Sequence, residues 1–192
     1  MKFLDGTILG AGIDAEEEKE IMDLIEKSSP STNSNLSFIN IKERVGWVCI
    51  TVKNDTSEFL IKYSSCMFDT SCLVRFFEKL ISLKEKTVLV LDNEGSLPIL
   101  YAEPIDNNNV RFIFAHDYNL FLNDDIDEYT IRDYKIECDA IINKKELLKT
   151  FYNILYSFTE NYNLKDAYNP EFKIEVSKKY LNKINSYIKQ AT

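Results

Sequence analysis

The stretch Asp139–Tyr162, DAIINKKELLKTFYNILYSFTENY, runs out of an extended segment into the clearest helix of the chain, and the architecture is read from it. Asn143 stands where a helix N-cap is needed, because its side-chain oxygen can accept from the unpaired N–H groups of the first turn. Glu146, three residues on, matches the second half of a capping box. Leu147, Phe151, Ile154, Leu155, Phe158 and Tyr162 recur at spacings of three and four, which places them on one helical face. Leu148 and Tyr152 widen that face, so the pattern predicts a helix lying between a sheet and another layer. Asn161 to Asn163 closes it. Each large apolar side chain buried contributes roughly 1.5–3 kcal/mol, so this is a core helix, and it carries no chemistry.

Upstream of the helix the chain reads as strands. Tyr129 to Ile142 is extended, with a break expected near Asp133. Val110 to His116 precedes it, after the turn Asn107-Asn108-Asn109. Thr87 to Leu91 is apolar on both faces, which marks a central strand. It connects through Asp92-Asn93-Glu94-Gly95, a hairpin turn ending in Gly, to Ser96 to Ala102, which Pro104 stops. A second helix, Thr70 to Leu83, presents Leu73, Phe76, Phe77, Leu80 and Leu83. Before it come three strands, Leu36 to Ile41, Gly46 to Val52 and Glu58 to Tyr63, whose short connections favour antiparallel pairing. Asp14 opens a first helix reaching Lys27, with Ile21, Leu24 and Ile25 as its apolar stripe. Its run Glu16-Glu17-Glu18 suits the positive end of the helix dipole. Asn169-Pro170 signals a last helix, since Pro is tolerated at the first helical position, while Phe172 to Val176 also alternates as a strand would and leaves the start of that helix open.

Strands run in blocks between helices, so the expected class is α+β. The expectation is one domain over residues 1–192, with a mainly antiparallel sheet of six or seven strands and about four helices packed on it. An apolar fraction of 45% in 192 residues is enough for a full core without staples. Cys49, Cys66, Cys72 and Cys138 have no C-x-x-C spacing and read as reduced thiols. No segment approaches the ~18 apolar residues of a membrane span, and no basic-then-apolar leader opens the chain. The reading is therefore cytoplasmic, with no membrane partner. A net charge of −8 argues against nucleic acid, because phosphate binding needs a basic footprint.

The residues with chemistry in them do not assemble into a catalytic motif. His116 is the only histidine and lies beside Asp117, yet no nucleophile accompanies it. Asp124, Asp125, Asp127 and Glu128 lack the Gly and the spacing of a calcium loop. Asp92 and Glu94 share one turn and give no sign of the carboxylate separation across a cleft that a glycosidase needs. No cofactor and no metal is expected. Charge is more informative. From Asp92 to Asp139, twelve acidic residues face three basic ones, whereas from Pro170 onward five lysines face two glutamates.

The hairpin VLVLDNEGSLPILY (88–101), the strand VRFIFAHD (110–117) and the passage IINKKELLKTFYNILYSF (141–158) resemble small bacterial immunity proteins of the polymorphic-toxin kind. The likeness covers Thr87 to Phe158, under half of the chain. It implies a cytoplasmic, acidic, α+β inhibitor that neutralises a toxin domain by covering it. The expected function is accordingly a non-catalytic binding protein with a basic toxin domain as partner. Asp124, Asp125, Asp127 and Glu128 would meet its cationic site, and Tyr118 and Phe121 would serve as buried anchors. The alternatives are a structural or adaptor subunit of a larger assembly, or a carboxylate-dependent hydrolase.

Overall fold

A computed structural model of the protein describes residues 8–10, 15–30, 35–44, 47–55, 57–64, 70–91, 93, 96–119, 132–161 and 170–190. Its strands are β1 (Ile8–Gly10), β2 (Ser37–Arg44), β3 (Trp47–Lys53), β4 (Glu58–Ser64), β5 (Thr87–Val90), β6 (Ile99–Pro104), β7 (Asn109–Asn119) and β8 (Arg132–Asn143). Its helices are α1 (Ala15–Lys27), α2 (Thr70–Lys79, continued by a 3-10 turn to Ser82), α3 (Lys144–Asn161) and α4 (Pro170–Gln190).

The α+β class and the four helices are as the sequence predicts. The expectation of one sheet is corrected, because the strands form two. β5, β6, β7 and β8 make an antiparallel meander, and short β1 joins the free side of β5 in parallel. β2, β3 and β4 form a separate antiparallel sheet. Both blocks read alike as successive hairpins, and α2 interrupts them. Whether two such blocks share hydrogen bonds depends on long-range pairing, which periodicity does not encode.

Local chemistry explains the connections. Asn54 Oδ1 accepts from the Ser57 N–H at 2.7 Å, closing the β3–β4 turn. Leu91 N–H donates to Pro98 O at 2.8 Å and Asn93 N–H to Ser96 O at 3.0 Å, holding the β5–β6 hairpin. Between β6 and β7, Asp106 Oδ1 accepts from the N–H groups of Asn108 and Asn109. Asn108 O then accepts from Lys144 N–H at 2.7 Å, so this turn also seats the start of α3. Asn143 caps α3 as the sequence predicts, its Oδ1 accepting from the N–H groups of Lys145 and Glu146 at 3.1 and 3.2 Å. Pro170 is the first residue of α4.

The extended stretch before α3 differs from its sequence reading. The break expected near Asp133 does not occur there, for Asp133 pairs with Tyr118 inside a continuous β8. The irregularity comes later. Phe114 pairs with Cys138 and Ala115 with Ile136, so Glu137 is the extra residue of a bulge. β7 likewise runs through to Asn119, beyond the His116 at which the strand was expected to end.

The five-stranded sheet is covered on both faces. On one, Val88, Val90, Ile99, Tyr101, Ile113 and Ala115 pack beneath Ile21 and Ile25 of α1. On the other, Leu89, Leu100, Phe112, Phe114, Ala140 and Ile142 belong to a larger core with α2, α3, α4 and the inner face of the three-stranded sheet. Thr87 to Val90 is buried throughout, as a central strand should be. Phe77 of α2 is the junction. Its ring stacks on Phe151 of α3 with centroids 3.6 Å apart, and meets Phe38 of β2 edge-on at 5.5 Å and Phe112 of β7 at 6.2 Å. Phe59 of β4 stacks on Phe114 of β7 at 5.2 Å, joining the sheets directly. α4 packs outside α2 and α3.

Truncating Phe77 to Ala should destabilise the protein by about 3–5 kcal/mol, since it empties a site shared by four elements. Asn143→Ala should cost about 1 kcal/mol by removing one helix cap. Urea unfolding followed by circular dichroism checks both.

Candidate functional site

The exposed acidic surface is built on α1. Ile21 and Ile25 turn inward, so residues near 180° from them point to solvent. Those residues include Glu16, Glu20 and Asp23, spaced four and three apart along one ridge, with Glu26 exposed beside them. α1 as a whole carries six carboxylates against two lysines. The sequence reading treats Glu16 to Glu18 as dipole compensation. Glu20 and Asp23 lie beyond the first turn, where that effect has faded, so the row they form with Glu16 needs the tertiary packing to explain its direction.

A buried ion network fastens this helix to the sheet. Arg111 on β7 donates from Nε and Nη2 to Asp139 on β8 at 2.9 and 2.8 Å, a two-pronged pair. Its Nη1 donates to Glu103 on β6 at 3.2 Å. The same Nη2 donates to the carbonyls of Ile25 and Ser28 at 3.1 and 3.2 Å, and to Ser28 Oγ at 2.8 Å. A guanidinium therefore sits at the negative end of α1, where the Ile25 carbonyl also accepts from Ser28 N–H and Oγ. Tyr101 O–H donates to Glu103 Oε2 at 2.8 Å. The hydrogen bond that Arg111 donates to Asp139 holds the guanidinium proton more tightly than usual, against the opposing effect of burial. Burial, then the hydrogen bond and charge of Glu103, push the Tyr101 phenol up.

Part of the acidic charge counted between Asp92 and Asp139 is engaged within the fold. Glu103 and Asp139 share the single charge of Arg111. Glu137 lies 3.5 Å from Lys135. Asp106 is held by its own turn. Counting charges along the sequence cannot distinguish these structural carboxylates from solvated ones.

Of the partner-binding residues named from the sequence, Asp124, Asp125, Asp127, Glu128 and Phe121 lie outside the described residues. Tyr118 pairs with Asp133 through the backbone of the β7–β8 ladder, and its side chain is likewise outside them. Asn119 pairs with Arg132, so the connection 120–131 leaves and re-enters the sheet at one hairpin end. His116 pairs with Lys135 across the ladder and meets Phe114 edge-on at 6.4 Å. Asp92 and Glu94 are outside the described residues.

On the opposite side of the molecule, α2 and α4 border an open cleft of about 390 Å³, lined by Glu78, Ile81, Asn182, Lys183, Ser186 and Tyr187. Its two charges are spent on each other, Lys183 Nζ lying 2.7 Å from Glu78 Oε1. Among the described residues, no group of three or more His, Cys, Asp or Glu is placed to hold a metal ion, and no helix is long and apolar enough to cross a membrane. No protein-family model matches the chain, and neither a curated protein nor a solved structure matches it.

Removing the Arg111 side chain takes its two-pronged donor from the Asp139 carboxylate, so Arg111→Ala should destabilise by about 3–5 kcal/mol. The alkaline limb of stability also follows from this region. Burial, and then the charge of Asp139, push the Cys138 thiol from 9.0 to about 12, in the same direction as Tyr101. A raised folded-state value contributes stability that is fully present below the unfolded value and is lost as pH rises through the folded one. These two groups should therefore leave stability unchanged up to about pH 9 and lower it from there towards pH 12. Urea midpoints measured across this window should fall less steeply for Cys138→Ala and Tyr101→Phe.

Proposed function

We propose that the protein is a non-catalytic binding protein, an immunity-type inhibitor that acts in the cytoplasm and neutralises a basic toxin domain by covering its active or binding surface. The observation that carries this reading is the segregation of charge onto opposite layers. α1, with six carboxylates against two lysines, lies over one face of the five-stranded sheet. α4, with five lysines against two glutamates, lies on the other side of that sheet, outside α2 and α3. Such a charge dipole orients the molecule during encounter, turning the α1 side towards a cationic surface. In the sequence, Asp124, Asp125, Asp127 and Glu128 fall between Asn119 and Arg132, which pair in the β7–β8 ladder. Covering a site demands shape and charge complementarity and no reactive group, which fits a helix held rigidly by Arg111 better than it fits a cleft.

A second reading, a structural or adaptor subunit of a larger assembly, is favoured by one observation. Ile39 and Leu60 stand exposed on the three-stranded sheet.

Co-expression with the product of the adjacent upstream gene tests the inhibitor reading. Rescue of growth together with a co-purifying complex is the expected result. Toxicity that persists without a complex would sink it. With that partner in hand, Glu16→Lys/Glu20→Lys/Asp23→Lys should slow association by on the order of tenfold or more at low salt, with the difference shrinking at high salt. Reversing Asp124, Asp125, Asp127 and Glu128 in parallel separates the contribution of the hairpin end from that of α1.

A further inference from the structure

The three-stranded sheet has one face in the core and one in solvent. Val48, Ile50 and Val52 of β3 point inward and are buried. Trp47, Cys49, Thr51 and Lys53 alternate with them and point outward. The ladder sets Lys42 and Lys62 on either side of Cys49, and Asn40 and Leu60 on either side of Thr51. Lys62 Nζ rests 4.0 Å from the centre of the Trp47 ring. Leu60 is 46% exposed, and Ile39, thrown out by a register shift in β2, is 52% exposed. The described side chains of this face thus combine an aromatic ring, two exposed aliphatic side chains and three lysines against the single carboxylate of Glu58, which faces Lys53. In a chain of net charge −8 this is a cationic, partly apolar surface.

Its size and charge select an occupant. Strands of seven residues at about 3.3 Å each, in three rows about 4.8 Å apart, give a face about 23 Å long and little more than 10 Å wide. That is the footprint of one helix, whose diameter with side chains is about 10–12 Å. It is well below the roughly 800 Å² per partner that a stable dimer buries. A symmetric pairing of two copies through this face would also bring Lys42 and Lys62 towards their own equivalents. Helix α1 of a second copy has the right charge, but its apolar residues Ile21 and Ile25 are already buried in its own core. Nucleic acid would require a much longer basic track than two lysine rows supply. We propose that the outward face of β2–β3–β4 is a docking site for a single acidic, amphipathic helix of another protein. Its carboxylates meet Lys42 and Lys62, and its apolar side chains lie on Trp47, Leu60 and Ile39. This site is separate from the acidic ridge of α1 and opposite to it in sign.

Trp47 is the only tryptophan of the chain, so intrinsic emission reports on this face. The full-length protein is titrated with three probes: a synthetic helical peptide with Glu and Leu at spacings of three and four, the same peptide with Lys for Glu, and single-stranded oligothymidine. Trp47 emission and the anisotropy of labelled probes are followed together. The expected result is a saturable response to the Glu peptide alone. Lys42→Glu/Lys62→Glu should weaken it by on the order of tenfold or more while circular dichroism stays unchanged, with Lys42→Gln/Lys62→Gln intermediate. The Glu20→Lys/Asp23→Lys variant should bind the peptide as the parent does, which keeps this test independent of the inhibitor reading. No response to the Glu peptide, equal responses to both peptides, or a response that survives both the Glu and the Gln replacement of Lys42 and Lys62 would overturn the proposal. Saturable binding of oligothymidine instead of the peptide would also overturn it, in favour of a phosphate-bearing partner.

Discussion

Phe77 stacked on Phe151 is the contact through which most of this structure is connected. The two rings belong to α2 and α3, and the same Phe77 ring touches β2 of one sheet and β7 of the other. Neither sheet can bury its apolar face alone, and neither helix has more than one strongly apolar side. An aromatic ring offers a large area and tolerates several neighbours at different angles. It can therefore close a junction where two sheets and two helices meet at unrelated orientations. Phe59 on Phe114 repeats this between the sheets, and α4 then seals the outside of the helical layer.

The other face of the five-stranded sheet is organised by a different kind of force. Among the described side chains of α1, only Ile21 and Ile25 are fully buried against it, with Met22 and Leu24 partly buried beside them, which is a modest apolar contact for a helix carrying six carboxylates. Arg111 supplies what burial does not. It joins β6, β7 and β8 through Glu103 and Asp139, and it reaches the last carbonyls of α1. A buried guanidinium gains little net energy over a well-packed apolar side chain, but it fixes orientation, because its donors point in set directions. The acidic ridge is thereby held at a defined place over the sheet.

The two solvent-facing features differ in sign and in construction. The α1 ridge is charge on a rigid helix, suited to long-range attraction. The outward face of β2–β3–β4 is a compact mixture of ring, aliphatic and lysine side chains, suited to short-range contact. The Lys62–Trp47 contact holds both members in place before anything binds, which lowers the ordering cost of association.

Much of this was legible in the chain itself, and the legible part is local. Asn143 as a cap, Pro170 as a helix start, the buried run Thr87 to Val90, the face Leu73, Phe76, Phe77 and Leu80, and the α+β class all follow from spacing and backbone chemistry over a few residues. The division into two sheets, the bulge at Glu137 and the outward face of Trp47 depend on which strand lies beside which, and that is set by contacts far apart in sequence. The acidic surface shows the same boundary. Composition alone determined that the region Asp92 to Asp139 is acidic and the C-terminal helix basic. Only the tertiary structure decided that Glu103, Asp106, Glu137 and Asp139 are engaged within the fold, while Glu20 and Asp23 face solvent. A carboxylate's availability depends on which cation or N–H group folding brings to it, and Arg111 lies 28 residues from Asp139 and 83 from Ser28.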